Sequence, residues 1–382
     1  MQTSKLYFYN GVDLFHKTSR VYPILKDKFA GMDLMLKLVK LQGPNAFFHD
    51  RSNSITTPIN TETMRGLELP QYKKTTESFA EISSKRSAEL MNYAKTNNKK
   101  LVVMWSGGID STTILVSFLT SCHINDIKDN MIILLNDLSI DENPTFYNTF
   151  IKNKLTVDIS EKYPYYFANR DYVVVTGEGN DNLFGSSLTT YYIWNYGIDS
   201  IASSNFRENI VDLYSKILSK SLDKPKSLCF NDAEKLVYIQ ELICKSCPIP
   251  IDAAYKFLWW VNFVTRWQNV YLRLSCVADV AKTRVQYEKN YFMFFSTEEF
   301  QLWSINNADS LISDSWASYK QPCKDIIFDY DKNYQYHREK IKVGSLTNLV
   351  KKGIFALDSG LNIYDKYPGD KFFNSENTFS KL

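Results

Sequence analysis

The chain has 382 residues, room for two or three domains at the usual ~100–200 residues each. Hydrophobic residues at 44% and charged residues at 23% exclude wholesale disorder, and 14 glycines with 11 prolines exclude a collagen-like chain. A net charge of +3 is too slight to argue for a nucleic-acid or membrane-surface partner.

The N-terminal run MQTSKLYFYNGVDLFHKTSR interrupts every apolar stretch with charge or polarity, so no signal-peptide core is expected. No apolar run approaches a membrane span in length. Residues 1–95 read as a small N-terminal segment of unassigned role. Within it, short aromatic-rich runs broken by Pro and Gly precede a polar stretch over 75–100. Phe79, Ile82, Leu90 and Tyr93 fall there at helical spacing. TNNKK (96–100) reads as the turn into a first strand.

Strand-length apolar runs then alternate with helices. LVVMW (101–105) is followed by a helix over 111–121, and MIILL (131–135) by a helical segment around 143–154. YVVVT (172–176) makes a third strand. This alternation predicts an α/β class with a parallel sheet. Residues 200–310 read as a mostly helical lobe, with 255–274 the most apolar stretch. Its block WWVNFVTRWQ (259–268) reads as core packing, or else as the wall of a pocket. The aromatic content of 15% as a whole is read as core. The last 60 or so residues are more polar and broken, as loops and short helices would be.

Six cysteines are scattered at 122, 229, 244, 247, 276 and 323, which suggests reduced thiols and a cytoplasmic location. Cys244 and Cys247 form a C-x-x-C that lacks the second pair of a structural zinc site. It reads either as two buried residues at a helix end stopped by Pro248, or as a metal or redox pair.

Two strand ends carry the chemistry. After LVVMW comes Ser106-Gly107-Gly108-Ile109-Asp110-Ser111, a glycine turn opening a helix. Gly107 and Gly108 let backbone approach a phosphate closely, and the helix N-terminus favours an anion. Ser106 and Ser111 offer hydroxyls. Asp110 is an oxygen ligand placed where Mg²⁺ would sit beside the phosphates. After YVVVT comes Gly177-Glu178-Gly179-Asn180-Asp181-Asn182, with Asp181 lying 71 residues after Asp110. If both strands share one parallel sheet, both loops open at the same carboxyl edge, and the two aspartates can clamp Mg²⁺. Glu178, flanked by glycines, is a candidate proton acceptor for an attacking amine.

The string S-G-G-x-D-S after a hydrophobic strand resembles the PP-loop ATP pyrophosphatases. The second string, strand-T-G-E-G-x-D-x-L-F-G, narrows this to the synthetase domain of asparagine synthetases, shared by β-lactam synthetases and lasso-peptide cyclases. The resemblance covers roughly 95–345 and is sharp at the two motifs. It implies an adenine nucleotide α-hydrolase type sheet followed by a C-terminal helical lobe, over 96–345, with 346–382 as a tail. It also implies ATP and Mg²⁺ as cofactors and an AMP- and pyrophosphate-forming amide synthesis. A substrate carboxylate is adenylated, then attacked by ammonia or an amine.

On this resemblance Asp110 and Asp181 are the metal ligands. Ser106, Gly107, Gly108 and Ser111 form the pyrophosphate loop, with Gly177 beside it. Backbone and side chains around Val103 and around Ile133 in the second strand (Ile132–Leu134) hold the adenine, and Glu178 stands near the attacking nitrogen. A third match, YHREKIKVGS (336–345), implies that Lys340 steadies the phosphates, with Arg338 nearby. Arg273, in VYLRLS, is a looser match to a family arginine.

The chain departs from the family at three places. Gln2 stands where the glutaminase domain has its nucleophilic cysteine, and about 95 residues are too few for that domain. The nitrogen is therefore expected from ammonia, an amine, or a glutaminase in trans. In the second motif Asn182 replaces an acid usual after Asp181 and Asn180 differs from the commonest family strings, as does Ser186-Ser187 after LFG. The expected partners are a small-molecule or peptide carboxylate and an amine, not a membrane or nucleic acid. Two alternatives stay open: a PP-loop enzyme adenylating a tRNA or nucleobase, and a non-catalytic nucleotide-binding protein.

Overall fold

Three apolar runs become the middle of a sheet because both of their faces are covered. These are β1 (Lys100–Met104), β2 (Met131–Leu135) and β4 (Tyr172–Thr176). Leu101, Val102, Val103, Ile133 and Val173–Val175 are fully buried, as strands of a two-sided parallel sheet must be. Two shorter strands flank them, β3 (Thr156–Ile159) beside β2 and β5 (Tyr291–Met293) beside β4. All five are parallel, in the order β3-β2-β1-β4-β5. Val103 stands in register with Ile133 on one side and Val175 on the other.

In this computed structural model the described residues are 5–6, 31–42, 49–55, 62–63, 67–185, 187–267, 290–313 and 315–340. They fall into two compact units. The sheet unit comprises the described residues of Pro70–Phe184 and Arg273–Lys342, and the second those of Met1–Leu69 and Gly185–Leu272. These boundaries differ from the sequence-based segments 1–95 and 96–345. The chain leaves the sheet unit after β4 and returns to it before β5, with Gly185–Leu272 of the second unit between them. The run that makes β5 is only three residues long and sits inside a region that reads as helical.

In the sheet unit, α1 (Phe79–Thr96) begins at a capping box. Ser78 Oγ accepts from Glu81 N at 3.2 Å, and Glu81 Oε2 accepts from Ser78 N at 2.8 Å. Phe79, Ile82 and Leu90 face the core as their spacing predicts, while Tyr93 is half-buried and meets Phe292 edge-on at 5.3 Å. α2 (Ile109–Ser121) buries every residue from Ser111 to Phe118. α3 (Gln321–Asp331) packs on α1 and α2, and the short α4 (Tyr334–Glu339) follows it. Phe79 lies at the centre of an aromatic cluster with Phe184, Phe295, Phe300 and Trp303, ring centroids 4.8–5.9 Å away. Much of the aromatic content is thus core, contributing roughly 1.5–3 kcal/mol per buried Phe.

In the helical unit, Arg207–Leu222 packs against Lys226–Cys244 and Met32–Gln42, and Ala254–Thr265 packs against Lys226–Cys244. Every residue of Ala254–Thr265 is buried. Trp260 stacks on Phe263 at 5.4 Å, so the aromatic block is core. No described helix is long and apolar enough to cross a membrane.

Candidate functional site

β1 hands over to α2 through a turn with a fixed base. Trp105 N donates to Leu134 O at 2.9 Å, and its indole Nε1 donates to Thr112 Oγ1 at 3.1 Å. Ser106 N donates to Ser111 Oγ at 3.0 Å, and the two hydroxyl oxygens are 3.0 Å apart. Gly107 has φ +74°, and a Cβ there would lie 2.2 Å from Ser139 O and 2.8 Å from Glu142 Cβ. No other residue fits that position. Gly108 is different. It is the N-cap of α2 in extended backbone, and a Cβ would have only Ser106 Oγ within 4 Å, at 3.4 Å. The fold demands Gly107. Gly108 instead keeps the start of α2 clear.

The loop after β4 presses on the loop after β1. A Cβ on Gly177 would lie 3.1 Å from Asp110 Cβ and 3.3 Å from Ser111 N. Gly179 has φ +90°. The fully buried Asn180 donates Nδ2 to Asp110 Oδ1 at 2.7 Å and to Cys323 Sγ at 3.3 Å. Asn180 Oδ1 and Asn182 Nδ2 are buried without a hydrogen-bond partner. Glu178 is half-buried in the turn between the two glycines.

Asp110 and Asp181 meet at a group that neither motif announces. Lys320 Nζ donates to Asp110 Oδ1 at 2.5 Å and Oδ2 at 2.7 Å, and to Asp181 Oδ1 at 2.6 Å. The lysine side chain is 1% exposed, against 24% for Asp110 and 44% for Asp181. Burial disfavours its charge, but the two carboxylates outweigh burial and hold its pKa above the ordinary lysine value. Its backbone is left-handed, φ 60° and ψ 31°, at the residue before α3, whose first turn holds Pro322. That conformation costs a non-glycine residue roughly 1–2 kcal/mol.

Lys340 stands elsewhere. It follows α4, pairs with Glu142, and lies 5.8 Å from the centroid of the Tyr336 ring. Glu142 is also the residue whose Cβ crowds Gly107. Lys340 therefore borders the glycine loop through Glu142, whereas Lys320 reaches the carboxylates. Arg338 is exposed and pairs with Glu339. Val103 and Ile133 are fully buried within β1 and β2, where they stand in register with each other. The sequence reading missed Lys320 and gave Asn180 no role. SYKQPCK shows only a proline suited to a helix start, and one lysine among 45 basic residues has no spacing signal.

The C-x-x-C lies in the helical unit, at the end of Lys226–Cys244. Burial pushes the Cys247 thiol up to about 12 and the Cys244 thiol well above its ordinary value. Among the described residues, no group of three or more His, Cys, Asp or Glu side chains is arranged to hold a metal. Arg273, Cys276 and the segment 341–382 lie outside the described residues. Comparison with protein-family models, with curated proteins and with solved structures found no match.

Proposed function

We propose that this chain is an ATP-dependent amide synthetase of the asparagine synthetase-like kind, forming AMP and pyrophosphate on an adenine nucleotide α-hydrolase type sheet. One observation carries the reading. Asp110 and Asp181, in the first turns of the helices that follow two adjacent parallel strands, converge within 2.7 Å of a single cationic nitrogen. Those strands, β1 and β4, flank the point where the strand order reverses. Open parallel sheets bind ligands there, outside the carboxyl ends.

The donor set fits magnesium. Mg²⁺ is ordinarily held by one or two carboxylates together with phosphate oxygens. Asp110 and Asp181 would be its protein ligands, and the ion when bound would neutralise phosphate charge. The chain's own residues supply the rest. The start of the 13-residue α2 and the Ser106 and Ser111 hydroxyls suit the phosphates. Lys320 and Lys340 add positive charge beside the departing pyrophosphate. Glu178 takes the proton released as an amine nitrogen bonds to the activated acyl carbon and AMP leaves. The substrates are a small-molecule or peptide carboxylate and ammonia or an amine, with a glutaminase in trans as one nitrogen source. Unpaired, high-pKa thiols at Cys122, Cys229, Cys244, Cys247 and Cys323 suit a reducing cytoplasm.

The test is the nucleotide product. Purified protein is incubated with ATP, Mg²⁺, ammonium and a panel of amino acids and peptides, and AMP, ADP and pyrophosphate are resolved by chromatography. AMP with pyrophosphate is expected, dependent on one carboxylate and abolished by D110N. ADP as product overturns the reading, and stimulation by RNA alone replaces it with nucleobase adenylation.

A further inference from the structure

We propose that Lys320 and a divalent cation compete for one position between Asp110 and Asp181, so that the metal enters only with an anion that takes over the lysine. Lys320 Nζ already has what a bound cation would need from this site. It touches both oxygens of Asp110 and one of Asp181, all within 2.7 Å. A second cation at the same oxygens would stand against an ammonium at van der Waals distance, and the ammonium itself is shielded from water, so the like charges repel.

The lysine cannot simply withdraw into water, because its side chain is 1% exposed. The chain around it is fixed. Tyr319 on one side is buried and stacked on Trp316 at 4.3 Å, and α3 starts immediately on the other. A displaced ammonium therefore needs a new anionic partner, and a buried ammonium without one is unfavourable. A bare divalent ion brings none. A polyphosphate brings both the metal and the oxygens that can receive the lysine. Lys320 thus acts as an internal counter-ion that keeps two adjacent carboxylates together until ligand arrives. The idea rests on this three-residue geometry and not on amide synthesis.

The test uses Mn²⁺ alone, without nucleotide, on the full-length chain. Binding is followed by electron paramagnetic resonance and calorimetry for wild type, D181N, K320M and K320M/D181N. Wild type and D181N are expected to bind Mn²⁺ equally weakly. K320M, which keeps an unbranched side chain one atom shorter and removes the charge, is expected to bind one Mn²⁺ at least about ten-fold tighter, with the gain lost in the double variant. K320M also removes the ammonium between the two carboxylates, so its melting temperature should fall, and Mn²⁺ should restore it in K320M but not in K320M/D181N. Equal affinity of K320M and wild type overturns the proposal. So does tight Mn²⁺ binding by wild type that disappears in D181N, a measurement that needs no Lys320 variant to fold. Because no nucleotide is present, failure of the amide-synthetase reading leaves this result unchanged.

Discussion

Asn180 donates its side-chain amide to Asp110 Oδ1 across 2.7 Å, tying the start of the helical turn after β4 to the first turn of α2. An ionised carboxylate only accepts, so this bond fixes which way the Asn180 amide faces. N180A removes the donor and is expected to lower stability by about 1–3 kcal/mol. N180D sets a second carboxylate against Asp110 in a buried position and should lower it more, by about 3–5 kcal/mol. Urea denaturation of the three proteins checks the ranking, and a wild-type midpoint for N180D would refute the contact.

The two glycines of the first loop should behave differently. G107A combines a left-handed φ with a Cβ 2.2 Å from Ser139 O, and is expected to cost about 2 kcal/mol or more. G108A meets only Ser106 Oγ at 3.4 Å, and should stay within about 1 kcal/mol of wild type. On the proposed function the G108A methyl still intrudes where the phosphates sit, so ATP binding weakens while the fold is retained. Thermal melts paired with nucleotide calorimetry separate the two effects.

In the helical unit, Arg51 is a buried end-piece for the aromatic helix. It is 3% exposed and donates to Phe263 O at 2.6 Å, Val264 O at 3.4 Å and Glu68 O at 2.9 Å. Its guanidinium also lies 5.3 Å and 5.2 Å from the Phe263 and Trp267 ring centroids. The last carbonyls of a helix carry negative partial charge, which a planar cation with several donors matches. R51M keeps the stem and loses the donors, and is expected to destabilise by about 2–4 kcal/mol. R51K should recover only a small part, since an ammonium cannot span three carbonyls. Chemical denaturation followed by near-ultraviolet circular dichroism reports on this unit, where Trp259, Trp260 and Trp267 are buried.

Burial also sets the reactivity of the thiols. Desolvation raises Cys122 to about 11, and Cys247 and Cys323 to about 12. At pH 8 the thiolate fraction of each is then on the order of one part in a thousand or less. Native protein should label slowly with a disulfide reagent at these positions, residue by residue in mass spectrometry, and quickly once unfolded. Fast native labelling of Cys247 would instead restore a redox role for the C-x-x-C.

What the sequence determined by itself is whatever neighbouring residues encode. LVVMW, MIILL and YVVVT are apolar over their whole length, and a strand covered on both faces requires that. The turns after β1 and β4 show because glycine is the residue that permits φ +74° at Gly107 and φ +90° at Gly179. The edge strands did not show. Val157 and Ile159 in β3 are 44% and 54% exposed, so that strand has no continuous apolar run to read, and β5 has only three residues. Long-range packing completes the site. Lys320 reaches Asp110 across 210 residues of sequence and Asp181 across 139, through the packing of α3 on α2. A strand or a glycine turn is a local conformational preference. A charge meeting its partners is an outcome of the whole fold, because the carboxylates select whichever cation the packing brings within reach and shields from water.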